Sequence, residues 1–301
     1  MSHSVIGIDL GGTYLKSISR PANGKKANKS DTRPSLCGEQ HDNVWRNVFT
    51  AITDVYGKQP PGTLVGFATP GELNLAKGTL TSRRFGFEDD PFVERFLKEG
   101  LRVIAINDAQ ASALGEIHFG YGDDVSDFIV LTLGTSIGGA FVYNHRVLRS
   151  TSGMTVGIVA HLTIDPSGPR CRCGRQGCWE TYCCRSAILE MAKRHNLDGC
   201  SDVEHIAIKA AEGIPAAVNV MNELADNVAR GLVSLVDMMA PEAVILGGGI
   251  SQAGDLFADR VRRQIYGHVR EGRDIQVLVS RLGDKGAAYG ASYIAELGQL
   301  P

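Results

Sequence analysis

The 301-residue chain has no apolar run approaching the ~20 residues that a membrane-spanning helix requires, so no membrane association is expected. It also lacks a dominant sign of charge: 31 Lys and Arg stand against 33 Asp and Glu, for a formal net charge of -2. Without a long basic run, nucleic acid is not expected as a main partner. No secretory apolar segment precedes Val5, and the seven cysteines are an odd number, which suits a reducing cytoplasm better than a disulfide framework. With 43% hydrophobic residues, what remains is a soluble globular chain with room for two domains of ordinary size, each with its own core.

The least ambiguous chemistry lies in His161 to Glu180, HLTIDPSGPRCRCGRQGCWE. Cys171, Cys173 and Cys178 occupy the frame C-x-C-G-x-x-G-C, in which Gly174 and Gly177 let the backbone curl around a single ion. A tetrahedral structural zinc takes four soft ligands, and His161 is the nearest candidate for the fourth. The competing reading is three buried or disulfide-bonded cysteines, but Cys171 and Cys173 are too close in sequence to pair comfortably. A three-thiolate, one-imidazole set leaves no coordination position for a substrate, so its role would be structural.

Along the chain, Val5 to Leu10 reads as a buried strand, Gly11-Gly12-Thr13 as a sharp turn and Tyr14 to Ile18 as a second apolar run. In such a strand-turn-strand, main-chain N–H groups and the Thr13 hydroxyl can hold phosphate oxygens, and Asp9 can hold magnesium through water; a plain glycine-rich hairpin is the alternative. Residues 20 to 40 read as exposed loop or hairpin and Asn43 to Tyr56 as a helix. Leu64 to Ala68 reads as a strand ending in Thr69-Pro70-Gly71, at the edge where open α/β sheets place ligands. Arg83 and Arg84 interrupt a weakly patterned loop that closes at Glu88-Asp89-Asp90; they are either solvated surface or a means of fixing an anionic or polyhydroxylated ligand. After a helix at about 91 to 99 comes the strand Arg102 to Ile106. Asp108 follows at a helix start, where the dipole favours its ionised form, as a cap or as a catalytic base.

Asp127 to Leu133, the turn Gly134-Thr135-Ser136 and Gly138 to Tyr143 repeat the arrangement of residues 5 to 18 about 125 residues later. Two copies imply two similar domains facing each other, each with a phosphate-binding turn, which suits a nucleotide triphosphate. Pro215 to Met239 is a long helix with an apolar stripe, and Pro241 to Leu246 is the strand after it. Gly247-Gly248-Gly249 is expected to open the next helix beside a purine or ribose. Ile275 to Val279 is the last strand, leading to a small-residue helix. The expected domains are 1–117, with the helix at 287–301 packing back on it, and 118–286, carrying the loop 161–180.

Asp9-x-Gly-Gly-Thr13, Asn107-Asp108-Ala109, Leu133-Gly134-Thr135, the Cys171 to Glu180 loop and Leu246-Gly-Gly-Gly249, in this order, resemble the ROK family of sugar kinases and sugar-responsive repressors over nearly the whole chain. The resemblance implies an α/β actin-like ATPase (ribonuclease H-like) fold of two domains around a cleft, ATP, Mg2+, a structural Zn2+ and a homodimer. The implied reaction is phosphorylation of the primary 6-hydroxyl of a hexose or hexose-like substrate. By the same resemblance Asp108 is the general base, and Asn107, Glu180, His161, Gly71 and Arg84 bind the substrate. Asp9, Gly11, Gly12, Thr13, Lys16, Gly134, Thr135, Gly247 and Gly248 bind the nucleotide and its magnesium, and His161, Cys171, Cys173 and Cys178 the zinc.

The sequence also departs from the family pattern. Glu-x-Gly-His is usual ahead of the cysteine loop, but here Ile158-Val159-Ala160-His161 occupies that register, so a sugar-binding carboxylate is missing. Leaving sugar hydroxyls unpaired against apolar surface costs roughly 1–3 kcal/mol per buried group. Arg83-Arg84-Phe85 stands where Pro-Asn-Leu is usual, and Ser136 where glycine is. Glucose is the default substrate, with an amino sugar or cyclitol as the variants these departures suggest. The alternative function is a catalytically silent sugar-binding regulator. ROK repressors carry a helix-turn-helix ahead of the kinase-like region, and a first turn beginning at residue 9 leaves no room for one, so DNA binding by this chain is not expected.

Overall fold

The computed structural model describes residues 4–150, 155–200, 203–249, 254–269 and 274–301. The chain divides into two compact units, one of Met1–Asp123, Val147–Val156 and Lys285–Pro301, the other of Asp124–Arg146 and Gly157–Asp284.

The first unit opens with the antiparallel strands β1 (Ser4–Leu10), β2 (Tyr14–Pro21) and β3 (Lys29–Pro34). Helix α1 (His41–Tyr56) leads to β4 (Leu64–Thr69), then to short strands β5 (Glu72–Asn74), β6 (Thr79–Ser82) and β7 (Phe87–Asp90). Helix α2 (Phe92–Lys98), β8 (Arg102–Asn107) and α3 (Asp108–Phe119) follow, and the C-terminal helix Gly286–Leu297 packs on β1, β4 and α3. The main sheet has the order β3-β2-β1-β4-β8, with β4 parallel to both β1 and β8.

Ile6 to Leu10, which end β1, are buried, as a central strand demands, Asp9 included. The apolar face of α1 inserts Trp45 among Phe67, Phe87 and Phe96, stacking on Phe87 at a centroid distance of 5.6 Å. The C-terminal helix approaches so closely that a Cβ on Gly66 would overlap the Ala291 backbone. Gly66→Ala is therefore expected to cost about 3 kcal/mol, read as a lowered unfolding midpoint. Buried Arg20 ties the same helix down, its Nε donating to Ser292 Oγ at 2.8 Å and its Nη2 pairing with Glu296.

In the second unit β9 (Phe128–Leu133), β10 (Ile137–Tyr143) and β11 (Arg146–Val147) precede the cysteine loop. Helices α4 (Glu180–Cys183), α5 (Arg185–Arg194), α6 (Val203–Ala211) and α7 (Pro215–Met239) lead to β12 (Ala243–Gly248), α8 (Gly254–Tyr266) and β13 (Gln276–Val279). The order β11-β10-β9-β12-β13 repeats that of the first sheet: an antiparallel hairpin whose first strand continues into two parallel ones.

Two expectations from sequence are corrected. The segment around Arg83 and Arg84 is not a loop closing at Asp90 but the turn between two strands of a three-stranded sheet, β5-β6-β7, because Phe85 and Phe87 drop into the aromatic core. Gly247 and Gly248 do not open a helix: they extend β12, paired with Thr132 and Leu133 of β9, and helix α8 begins at Gly254. Residues 250–253 lie outside the described part of the chain.

Candidate functional site

In the first unit the β1–β2 turn places Asp9 at a buried strand end, opposite Lys16 in the hairpin register. The turn's geometry corrects one expectation: Gly11 N–H donates to Tyr14 O at 3.0 Å, so it shapes the turn and is not offered to a ligand. Gly12 N–H is bonded to nothing among the described residues, whereas the Thr13 carbonyl accepts from Ser35 N at 2.9 Å. The Arg84 side chain lies on Gly12, where an added Cβ would meet Arg84 Cδ at 2.6 Å. Arg83 is exposed. Gly71 follows the end of β4 and backs onto Thr81 and Ser82 of β6.

Asn107, not Asp108, caps α3: its Oδ1 accepts from Ala109 N at 3.0 Å and from Gln110 N at 3.3 Å. Asp108 itself is half-buried, with Oδ1 accepting from Ala109 N at 2.9 Å. The expected ionising influence of the helix start is outweighed. Burial pushes the Asp108 pKa up from 3.8, and the Ala109 N–H, the Arg84 charge and Asn107 offset only part of that. A carboxylate so tuned is a better proton acceptor than an ordinary surface aspartate.

In the second unit the β9–β10 turn closes in the same way, with Gly134 N–H donating to Ser136 O at 3.0 Å. Thr135 and Ser136 are partly exposed beside it. Ser136 Oγ donates to Glu180 Oε2, and Arg172 Nη2 reaches Glu180 Oε1 at 3.5 Å. These two partners of Glu180 are not evident in the sequence, although both flank recognised motifs. Gly247 and Gly248 close β12 beside Leu133, next to the same turn. Ile158 is 54% exposed.

His161, Cys171, Cys173 and Cys178 converge, their ligand atoms all within 4.8 Å of one another. Cys171 Sγ lies 3.6 Å from His161 Nδ1, and Cys173 Sγ lies 3.6 Å from Cys178 Sγ. A tetrahedral zinc with bonds of about 2.3 Å has ligand–ligand edges of about 3.8 Å, so the donor set fits that ion. The loop is built for it: Cys171 N–H donates to Arg175 O at 2.8 Å, Gly174 N–H to Cys171 O at 3.0 Å and Gly177 N–H to Pro169 O at 2.8 Å. The N–H and guanidinium of Arg175 pull the Cys173 thiol down, towards the thiolate a metal needs, whereas burial pushes the Cys178 thiol up. Trp179 anchors the loop's far end, packing on Gly231 of α7 and donating Nε1–H to Asn227 O at 2.9 Å.

Comparison with known proteins gives a consistent result. The ROK family profile matches residues 5–297. A glucokinase of Streptomyces coelicolor is 33% identical over 254 residues, 77% of this chain and 79% of that protein. A xylose repressor of Caldicellulosiruptor bescii is 30% identical over 322 residues, 99% of this chain and 80% of that protein. Among solved structures, a ROK family glucokinase from Streptomyces griseus in complex with glucose and AMPPNP superposes with a TM-score of 0.89 at 27% identity, covering 98% of this chain and 100% of that one. Among the described residues no helix is long and apolar enough to cross a membrane.

Proposed function

Because this chain belongs to the ROK family and has the actin-like ATPase fold of its kinases, we propose that it transfers the terminal phosphoryl group of ATP to the primary hydroxyl of a hexose or hexose-like sugar. The observation that carries this reading is Asp108, a half-buried residue whose carboxyl burial makes more basic, flanked by Asn107. It takes the proton of the acceptor hydroxyl, while Asn107, whose Oδ1 is already used in capping, offers its amide N–H groups to the sugar. Gly71, His161 and Glu180 complete the acceptor groups; with Nδ1 beside Cys171, His161 keeps Nε2 for a hydroxyl. Gly12, Thr13 and Thr135 hold phosphate oxygens on turns whose form Gly11 and Gly134 set, and Lys16 supplies charge beside them. Asp9 holds Mg2+, which neutralises phosphate charge, and Gly247 and Gly248 lie along the adenosine. Zn2+ on His161, Cys171, Cys173 and Cys178 stiffens the segment that ends at Glu180.

Glucose is the first candidate acceptor. Ile158 brings no carboxylate to that register, and Ser136 and Arg172 already occupy Glu180, so an amino sugar such as N-acetylmannosamine, or a cyclitol accepting at an equivalent ring hydroxyl, is the next. ADP release is to be measured over glucose, N-acetylmannosamine and cyclitols. Turnover of at least one is expected, and none, with fold and zinc intact, contradicts the proposal. The occupied Glu180 also favours a second reading, a sugar-binding regulator without catalysis, and the kinship to a xylose repressor fits it. Tight sugar binding with no ATP turnover in wild type or in Asp108→Ala would favour that reading.

A further inference from the structure

Arg84 packs on the main chain of the β1–β2 turn, where a Cβ on Gly12 would stand 2.6 Å from Arg84 Cδ and 2.8 Å from Nη1. The arginine's own backbone is fixed from three sides. Its carbonyl accepts from Cys37 Sγ at 3.1 Å, the neighbouring Phe85 N–H donates to Ser82 O at 3.1 Å, and the Phe85 ring is buried against Phe87. Its guanidinium, in contrast, makes no hydrogen bond or ion pair among the described residues. A partly buried guanidinium held in place with none of its donors committed to a protein group among the described residues keeps them for a ligand.

The surroundings identify the kind of ligand. On one side is the glycine turn, with the Gly12 N–H uncommitted. On the other, the charge of Arg84 reaches the Asp108 carboxylate. In-line transfer carries a phosphoryl group from a phosphate-holding turn towards an oxygen beside the base, and a planar guanidinium offers forked donors to its equatorial oxygens. A neutral sugar hydroxyl calls for neither the full charge nor the packing against the turn.

We propose that Arg84 is a catalytic residue that binds the transferred phosphoryl group, not the sugar, and stabilises its charge during transfer. The inference rests on the kinase reading above. In the step itself the acceptor oxygen bonds to the terminal phosphorus of ATP as the bridging O–P bond breaks. The bonding pair leaves with ADP and the acceptor's proton passes to Asp108.

The test is calorimetric binding of MgAMPPNP and of MgADP to the full chain, as wild type, Arg84→Ala and Arg84→Lys. Arg84→Ala is expected to weaken MgAMPPNP by about tenfold or more and MgADP by less than about twofold. Arg84→Lys is expected to fall between, because a point charge cannot fork. Equal losses for the two nucleotides, or no loss for either, overturn the proposal. So do unchanged nucleotide affinities accompanied by weakened binding of glucose or glucose 6-phosphate, which would place the cation on the acceptor. Wild type that binds neither nucleotide overturns the kinase reading itself, a result distinct from all of these. Should the alanine variant not fold, Arg84→Lys and Arg84→Gln carry the same comparison.

Discussion

Asp108→Asn is expected to lower kcat for sugar phosphorylation by about a thousandfold while leaving the unfolding midpoint nearly unchanged. The two effects separate because of how α3 begins. Asn107 supplies the cap, and an asparagine at 108 keeps an oxygen for the Ala109 N–H that Oδ1 now receives at 2.9 Å. What it loses is the capacity to take a proton. Steady-state kinetics and a thermal melt on one preparation measure both. A comparable drop in stability and activity would mean that the carboxylate serves the helix and not the reaction.

The wild-type pH profile carries the same argument. A general base works unprotonated, so activity falls as the pH drops through its pKa. Burial has raised that pKa above the ordinary aspartate value of 3.8, so the acidic limb of kcat/KM lies at higher pH than a surface aspartate would give. In Asp108→Asn the residual rate loses that limb.

Cys171→Ser is expected to abolish zinc binding and to lower stability by about 4 kcal/mol or more, roughly a 10 °C fall in the unfolding midpoint. The four ligand atoms act together: Cys171 Sγ pairs with His161 Nδ1 at one edge and Cys173 Sγ with Cys178 Sγ at another, both at 3.6 Å. Losing one releases the others, and with them His161 and the turn leading into Glu180, so activity falls as well. Zinc content by atomic absorption, a melt and an activity assay decide it, and chelation of wild type reproduces the variant. Full activity with no bound metal contradicts the assignment.

What the sequence reveals and conceals follows from the range of the interactions involved. The paired strand-turn-strand motifs are legible because each is local: a buried apolar run, a glycine turn and a second run within about 15 residues. The convergence of His161 with the three cysteines is legible for the same reason. The sheet β5-β6-β7 is not, because strands of three or four residues carry too little alternation to register. The strand character of Gly247 and Gly248 comes from pairing with Thr132 and Leu133, a contact between distant segments that overrides the weak β preference of glycine. The same distance hides the packing of Arg84 on Gly12 and the bond from Ser136 to Glu180. Nor does a motif reveal which of its own N–H groups it consumes, as Gly11 and Gly134 show.

The most direct test is the product. Phosphorus NMR of wild type incubated with MgATP and the sugar panel should show ADP appearing together with a phosphomonoester, whose phosphorus couples to the two protons of a primary carbon when the acceptor is a hexose and to one ring proton when it is a cyclitol. Asp108→Asn should leave ATP intact over the same time. If the wild-type spectrum shows unchanged ATP with every sugar, or only inorganic phosphate, phosphoryl transfer to a sugar is not what this chain does.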